Sequence, residues 1–238
     1  MAQRNPTLRR VGIIIFSISI VVAVLLILIR AIPDMESTMY GFIKYKYPRL
    51  YSLSCPVMMT TVDSQPVTIR LRNSLERNLR WFVEAQFSTP ILLETSDQTI
   101  ELDPGESRQL VWEVDKHNVD LGNFIFARVF TSAAAASGMR EATCGTFVLN
   151  LPFAGGPALY YATLAITIVM AAIGFWMWKR NSEMSDLGMT TQFWWMRFMC
   201  VVLIIGIISA LFNFWFVALA VVLLTLLSTG VFLAFRKT

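Results

Sequence analysis

Four long apolar stretches constrain this chain more than anything else in it: Val11 to Ile29, Tyr160 to Trp178, Trp194 to Leu211 and Phe214 to Phe235. The last three hold no Asp, Glu, Lys or His in their interiors, and Arg197 sits near one end. A bilayer core about 30 Å thick takes about 20 apolar residues as helix, so each stretch is long enough to cross it. The run from Phe198 to Phe235 is too long for one span even with tilt, and Asn213 interrupts it, which predicts a tight helical hairpin there. A soluble bundle is the alternative, but helices of this length do not stay apolar all round in water. Charged groups at mid-membrane mark ion paths and relays. Their scarcity here argues against a transporter or pump.

The charge distribution orients the spans. Arg4, Arg9 and Arg10 precede the first, Lys179 and Arg180 follow the second, Arg197 opens the third, and Arg236 and Lys237 close the fourth. Basic residues therefore gather on one side, the cytoplasmic one by the positive-inside rule. The formal net charge of +4 then reports orientation and not affinity for nucleic acid. The expected layout is a cytoplasmic N-terminus (1–10), a first transmembrane helix (11–32), an interfacial collar (33–54), an outer domain (55–151), a second helix (157–178), a cytoplasmic loop (179–193) and two more helices (194–212 and 214–235). This is a multi-pass protein of the cell membrane, with both termini cytoplasmic and residues 33–156 extracytoplasmic. The first span reads as an uncleaved anchor, because its apolar run exceeds a signal-peptide core and no small-residue cleavage site follows.

In the collar, Tyr40, Phe42, Tyr45, Tyr47 and Tyr51 alternate loosely with Lys44, Lys46 and Arg49. Amphipathic rings and snorkelling cations suit the headgroup zone. The collar reads as an interfacial belt, with a docking surface for lipid heads or a neighbouring subunit as the alternative.

From Cys55 onward the period changes to two. Val67, Ile69 and Leu71 alternate with Thr68, Arg70 and Arg72; Leu79, Trp81, Val83, Ala85 and Phe87 with Arg80, Glu84 and Gln86; Leu110, Trp112 and Val114 with Gln109, Glu113 and Asp115. Such alternation marks half-buried antiparallel strands. Turn signals at Asn73-Ser74, Ser88-Thr89-Pro90, Asp103-Pro104-Gly105 and Leu121-Gly122-Asn123 separate them. Seven strands are expected, over 57–62, 66–73, 79–87, 91–101, 108–115, 123–131 and 143–151, as one antiparallel β-sandwich. The fold class is thus α+β: four transmembrane helices and one extracytoplasmic sandwich. Trp81 and Trp112 fall on inward faces, which favours core packing over a carbohydrate platform.

The runs NSLERNLRWFVEAQF, LDPGESRQLVWEV and FIFARVF resemble bacterial extracytoplasmic immunoglobulin-like domains of the CARDB or NEW3 type. Asn73, Leu102, Pro104, Gly105, Glu106, Ser107, Trp112 and Val114 carry the match, over about 95 residues. The resemblance implies adhesion, spacing or partner binding without chemistry of its own. The three further spans after the domain depart from that pattern. In an immunoglobulin-like sandwich the first strand can run parallel to the last, so Cys55 and Cys144, both outside, could meet as a disulfide. Two free thiols or a thiol-linked partner stay open. Cys200 lies inside a span and reads as a small buried hydrophobe.

Motifs for chemistry are scarce. His117, the one histidine, sits in a turn and cannot make an ordinary structural zinc site. Neither a nucleophile elbow nor a P-loop occurs. Asp97, Glu101, Asp103 and Glu106 read as a solvated acidic edge, with weak Ca²⁺ binding as the alternative. No catalytic, cofactor-binding or metal residue is assigned, and the chain is read as no enzyme. Gly206 and Ala210, like Gly230 and Ala234, stand four apart, a spacing that lets helix backbones approach; packing within this chain and packing on other subunits both fit. The 132–138 loop is a recognition candidate by position alone. The leading expectation is a non-catalytic accessory or scaffold subunit of a bacterial membrane complex, in contact with the bilayer and partner subunits. The alternatives are a cell-surface receptor or sensor for a glycan or peptide, and a small membrane carrier or enzyme.

Overall fold

The computed structural model describes residues 6–42, 47–133, 138–152, 154–181 and 187–235, with 187–192 and 230–235 described as helical backbone alone. Its elements run α1 (Pro6–Met39), β1 (Leu53–Ser54), β2 (Met58–Thr60), β3 (Gln65–Arg72), β4 (Leu79–Phe87), β5 (Glu94–Leu102), β6 (Ser107–Val114), β7 (Phe124–Ala133), β8 (Met139–Leu149), α2 (Gly156–Arg180), α3 (Leu187–Leu211) and α4 (Trp215–Phe235), with one 3₁₀ turn at Lys116–Asn118. The fold is α+β. It forms two compact units, a helical one (Met1–Ala31 with Tyr160–Thr238) and a β unit (Ile32–Leu159).

In the β unit, β1, β3 and β6 make a three-stranded antiparallel sheet, and a five-stranded sheet runs in the order β2-β8-β7-β4-β5. All its pairs are antiparallel except β2 with β8, which is parallel, with Met58 opposite Phe147. The period-two phase decides what faces inward. Val67 and Ile69 of β3, Trp112 and Val114 of β6, Trp81 and Val83 of β4, and Ile125 and Val129 of β7 all join one core to which both sheets contribute. Among the described residues eight strands stand where seven were expected. The extra one, β1, is two residues long and pairs with Ile69 and Thr68 of β3, too short for any alternation to show. Cys55 follows it, where the chain passes from one sheet to the other, and is bonded to Cys144 of β8 with Cα atoms 6.2 Å apart.

The expected collar boundary at residue 33 also moves, because α1 continues through Pro33 to Met39. Proline removes one backbone bond and disfavours the helix interior, so tertiary contacts must hold the last two turns. They do. Asp34, only 3 % exposed, accepts the Gly145 amide at 3.0 Å. Ser37 and Thr38 hydroxyls donate back to the Asp34 and Met35 carbonyls. A Cβ on Gly145 would stand 2.1 Å from the Pro33 carbonyl oxygen, so only glycine admits this approach. At the other junction, Asp63 accepts the amides of Thr60 and Gly156 and caps the start of α2.

Among the described residues three helices are long and apolar enough to cross a membrane, within Pro6–Met39, Gly156–Arg180 and Phe193–Leu211, and α4 is apolar over Trp215–Thr229. α3 begins at Leu187, inside the expected 179–193 loop, since nothing after Gly188 breaks the helix and hydropathy marks only where the apolar part starts. The hairpin between α3 and α4 turns at Asn213, which has a left-handed φ of 59°. Gly12 of α1 and Gly174 of α2 bring two backbones together: a Cβ on Gly174 would lie 2.7 Å from the Phe16 nitrogen. Arg30, inside the first expected span and 2 % exposed, donates to the Asn213 side-chain oxygen. The helix ends are therefore tied by one buried cation that a count of apolar stretches passes over.

Candidate functional site

β7 is a central strand whose two faces are both largely apolar. Ile125, Ala127 and Val129 enter the core, while Phe124, Phe126, Arg128 and Phe130 take the opposite face. A sheet face this apolar needs cover, and the segment after α1 supplies it. The Tyr40 ring lies 4.6 Å from Phe126 and 4.9 Å from Phe42, and Tyr47 lies 5.4 Å from Phe130. Leu50 donates its amide to the Glu141 carbonyl, and Glu141 donates to that of Pro48. The Tyr40 hydroxyl donates to Asp120. Burial first, and then this carboxylate, hold the Tyr40 pKa well above its ordinary value.

Arg128 lies within this covered face, 1 % exposed. Its Nε donates to Glu141 of β8 at 3.0 Å, and its Nη1 donates to Glu84 and Gln86 of β4 at 3.2 and 3.3 Å. Gln86 in turn donates to Glu84 at 2.7 Å. One guanidinium thus bridges the strands on both sides of β7. A buried pair adds little net stability over an apolar replacement, but removing one partner costs about 3–5 kcal/mol because the other charge stays buried. This arrangement ties β4, β7 and β8 together through one side chain.

The expected site residues fall in several places. Of the collar, Tyr40, Phe42 and Tyr47 pack at the apolar face of β7, Arg49 stacks on the well-exposed Tyr51 at 5.7 Å, and Lys44, Tyr45 and Lys46 lie outside the described residues. Most of the 132–138 loop does too. Gly206 and Ala210 pack within this chain: a Cβ on Gly206 would meet Val221 of α4 and Ile27 of α1 at 2.7 and 2.8 Å, and Ala210 is buried in the same core. The surroundings of Gly230 and Ala234 lie outside what is described. His117 is exposed in the 3₁₀ turn. Among the described residues no group of three His, Cys, Asp or Glu stands close enough to hold a metal ion.

Asn73, noticed in the sequence as a turn residue, is fully buried and organises two turns. Its Nδ2 donates to the carbonyls of Arg77, Leu102 and Asp103 at 2.8, 2.9 and 3.1 Å, and its Oδ1 accepts the Leu75 amide. Beside it Gly105 takes a left-handed φ of 76°, and Glu106 accepts the Asp103 amide. Sequence reading missed Asp34, Arg128 and Glu141. The available signal was a lone arginine inside FIFARVF with Glu84 and Glu141 at matching strand phase.

No family model matches this chain, and no curated protein does. Solved structures similar to part of it include a beta-glucuronidase of Bacteroides uniformis, at 13% identity over 40% of this chain and 12% of that one, with a TM-score of 0.32. A beta-glucosidase of Listeria innocua in complex with gluconolactone matches at 15% identity over 47% of this chain and 18% of that one, with a TM-score of 0.29. The CsuC-CsuE chaperone-tip adhesion subunit pre-assembly complex of Acinetobacter baumannii Csu pili matches at 12% identity over 46% and 51%, with a TM-score of 0.25. The chain spans well under two thirds of each. Likenesses at this level bear on neither its fold nor its activity, and its function rests on its own geometry.

Proposed function

We propose that this chain is a non-catalytic accessory or scaffold subunit of a bacterial membrane complex, with helices that pack on partner subunits and an outer domain that contacts protein. In this reading the β unit is an immunoglobulin-like sandwich. Strands β1, β3 and β6 answer to A, B and E, and the order β2-β8-β7-β4-β5 answers to A′, G, F, C and C′. Four spans hold it, with both termini cytoplasmic.

The observation that carries the proposal is the pair Ile91 and Leu92, 89 % and 75 % exposed, in the β4–β5 connection. Single exposed aliphatic residues are ordinary; two in succession beside a free sheet edge suit a partner. That edge is β5, which among the described residues pairs with β4 alone and leaves its other side open to strand addition or side-chain contact. The helices add support, since α2 turns Ile166, Val169 and Ile173 outward.

The test is photo-cross-linking from Ile91, Leu92 and Ile173 in the full chain within native membranes. Discrete protein adducts at the loop and on α2 are expected, surviving gentle detergent extraction. A lone monomer with only lipid adducts at every position overturns the proposal.

A further inference from the structure

Within the helical unit an apolar groove of about 280 Å³ runs between α1, α2 and α3. Phe16, Ala23, Thr167 and Leu203 are buried in its floor, while Ile168 and Ile204 are more than half exposed and mark an open rim. Its hydroxyls are turned away from it. Ser19 donates to the Phe16 carbonyl and Thr167 to that of Thr163, each at 2.7 Å, so the groove offers water no partner. A second lobe of about 190 Å³ adjoins it, since Phe16 and Ile20 line both. This lobe ends at Arg9, Trp178, Trp195 and Thr229.

The mouth differs from the groove in charge. Arg9 is half-buried, with no ion-pair or hydrogen-bond partner among the described residues. Nearby cations are differently placed: Arg180 lies over the Trp176 ring at 5.2 Å and Arg197 over Phe193 at 4.2 Å. A guanidinium presents a fork that suits phosphate, and indoles favour the headgroup level. From Arg9 to Ala23 the helix covers about 21 Å at about 1.5 Å per residue. That matches a headgroup plus the acyl layer of one leaflet, roughly 15 Å deep.

We propose that this groove binds one anionic phospholipid of the leaflet that holds Arg9, with an acyl chain along α1 between α2 and α3 and the phosphate on Arg9. The site is separate from the partner contacts proposed above, and either can fail without the other.

The experiment is native mass spectrometry of the full chain released from nanodiscs of equal phosphatidylglycerol and phosphatidylcholine. Wild type is expected to retain about one phosphatidylglycerol per chain, in preference to phosphatidylcholine. Arg9→Gln should cut that preference about fivefold, the worth of one cation at a membrane surface. Arg9→Lys should keep most of it, and Ala171→Phe, which fills the groove, should lower retention of both lipids. Equal retention of the two lipids by wild type overturns the proposal, as does an unchanged preference in Arg9→Gln. So does cross-linking of Ile168 to a helix of another protein in place of lipid.

Discussion

Replacing Asn73 by alanine leaves the carbonyls of Arg77, Leu102 and Asp103 without their shared donor and the Leu75 amide without its acceptor. One amide group has two hydrogens for three carbonyls, so about three hydrogen bonds are lost with the oxygen's included. At about 1 kcal/mol each, and with buried groups left unsatisfied, Asn73→Ala should cost the β unit roughly 2–4 kcal/mol. Hydrogen exchange at the slowest β4 and β7 amides reads this directly. Those that open only by global unfolding should exchange roughly 30-fold to several hundredfold faster. Asn73→Asp tests the geometry further, because a carboxylate would then face three carbonyl oxygens. Its folded-state pKa would be raised above the unfolded value of about 3.9, so the added penalty is absent below that pH and grows as pH rises. At pH 4 Asn73→Asp, whose neutral carboxyl keeps an oxygen for the Leu75 amide and one O–H for a carbonyl, should be the more stable of the two, and that advantage should shrink or reverse by pH 7. Exchange in Asn73→Ala within about twofold of wild type refutes the reasoning. A difference between the two variants that stays the same from pH 4 to pH 7 refutes its electrostatic part.

Three further outcomes are expected. Loss of the Cys55–Cys144 bond, which closes a separation of 89 residues, should destabilise the β unit by roughly 4–5 kcal/mol in the chain-entropy model, measured by comparing oxidised and reduced protein in denaturant. Gly145→Ala should free the 33–42 segment while β7 stays protected, since β8 tolerates alanine but Pro33 leaves no room for its Cβ; exchange at least about tenfold faster in 33–42 alone is the readout. Glu106 has its pKa lowered by the Asp103 amide and then by Arg108, so its contribution is present above the unfolded value of about 4.3 and lost as pH falls through the folded one. Glu106→Gln should flatten the acid side of the stability profile, and an unchanged profile counts against that role.

What was legible was periodic. Runs of about 20 apolar residues located the helices, because lipid imposes length and composition along one segment. Alternation located β3, β4 and β6 within a residue or two of their observed ends, because a pleated strand sorts its side chains two by two. The aromatic collar was legible as a composition but not as a place. Whether Tyr40 meets headgroups or Phe126 depends on a sheet face that forms from residues more than eighty positions later.

The same holds for the buried ions. Arg128, Glu84 and Glu141 are ordinary charged residues until strand register sets them beside one another on a face that another segment then covers. Gly145 is likewise one more glycine in a strand until α1 lies across it.

By itself the amino-acid sequence determined the apolar helices, the two-faced strands and the pair of cysteines available to bond. Those properties are local, fixed by the period at which side chains repeat along the backbone. Only the tertiary structure decided that α1 runs on past Pro33, that Arg30 reaches Asn213, and that a buried Arg128 meets Glu84 and Glu141 from the two neighbouring strands. Each of these requires residues distant in the chain to share one desolvated space, and no local period encodes that.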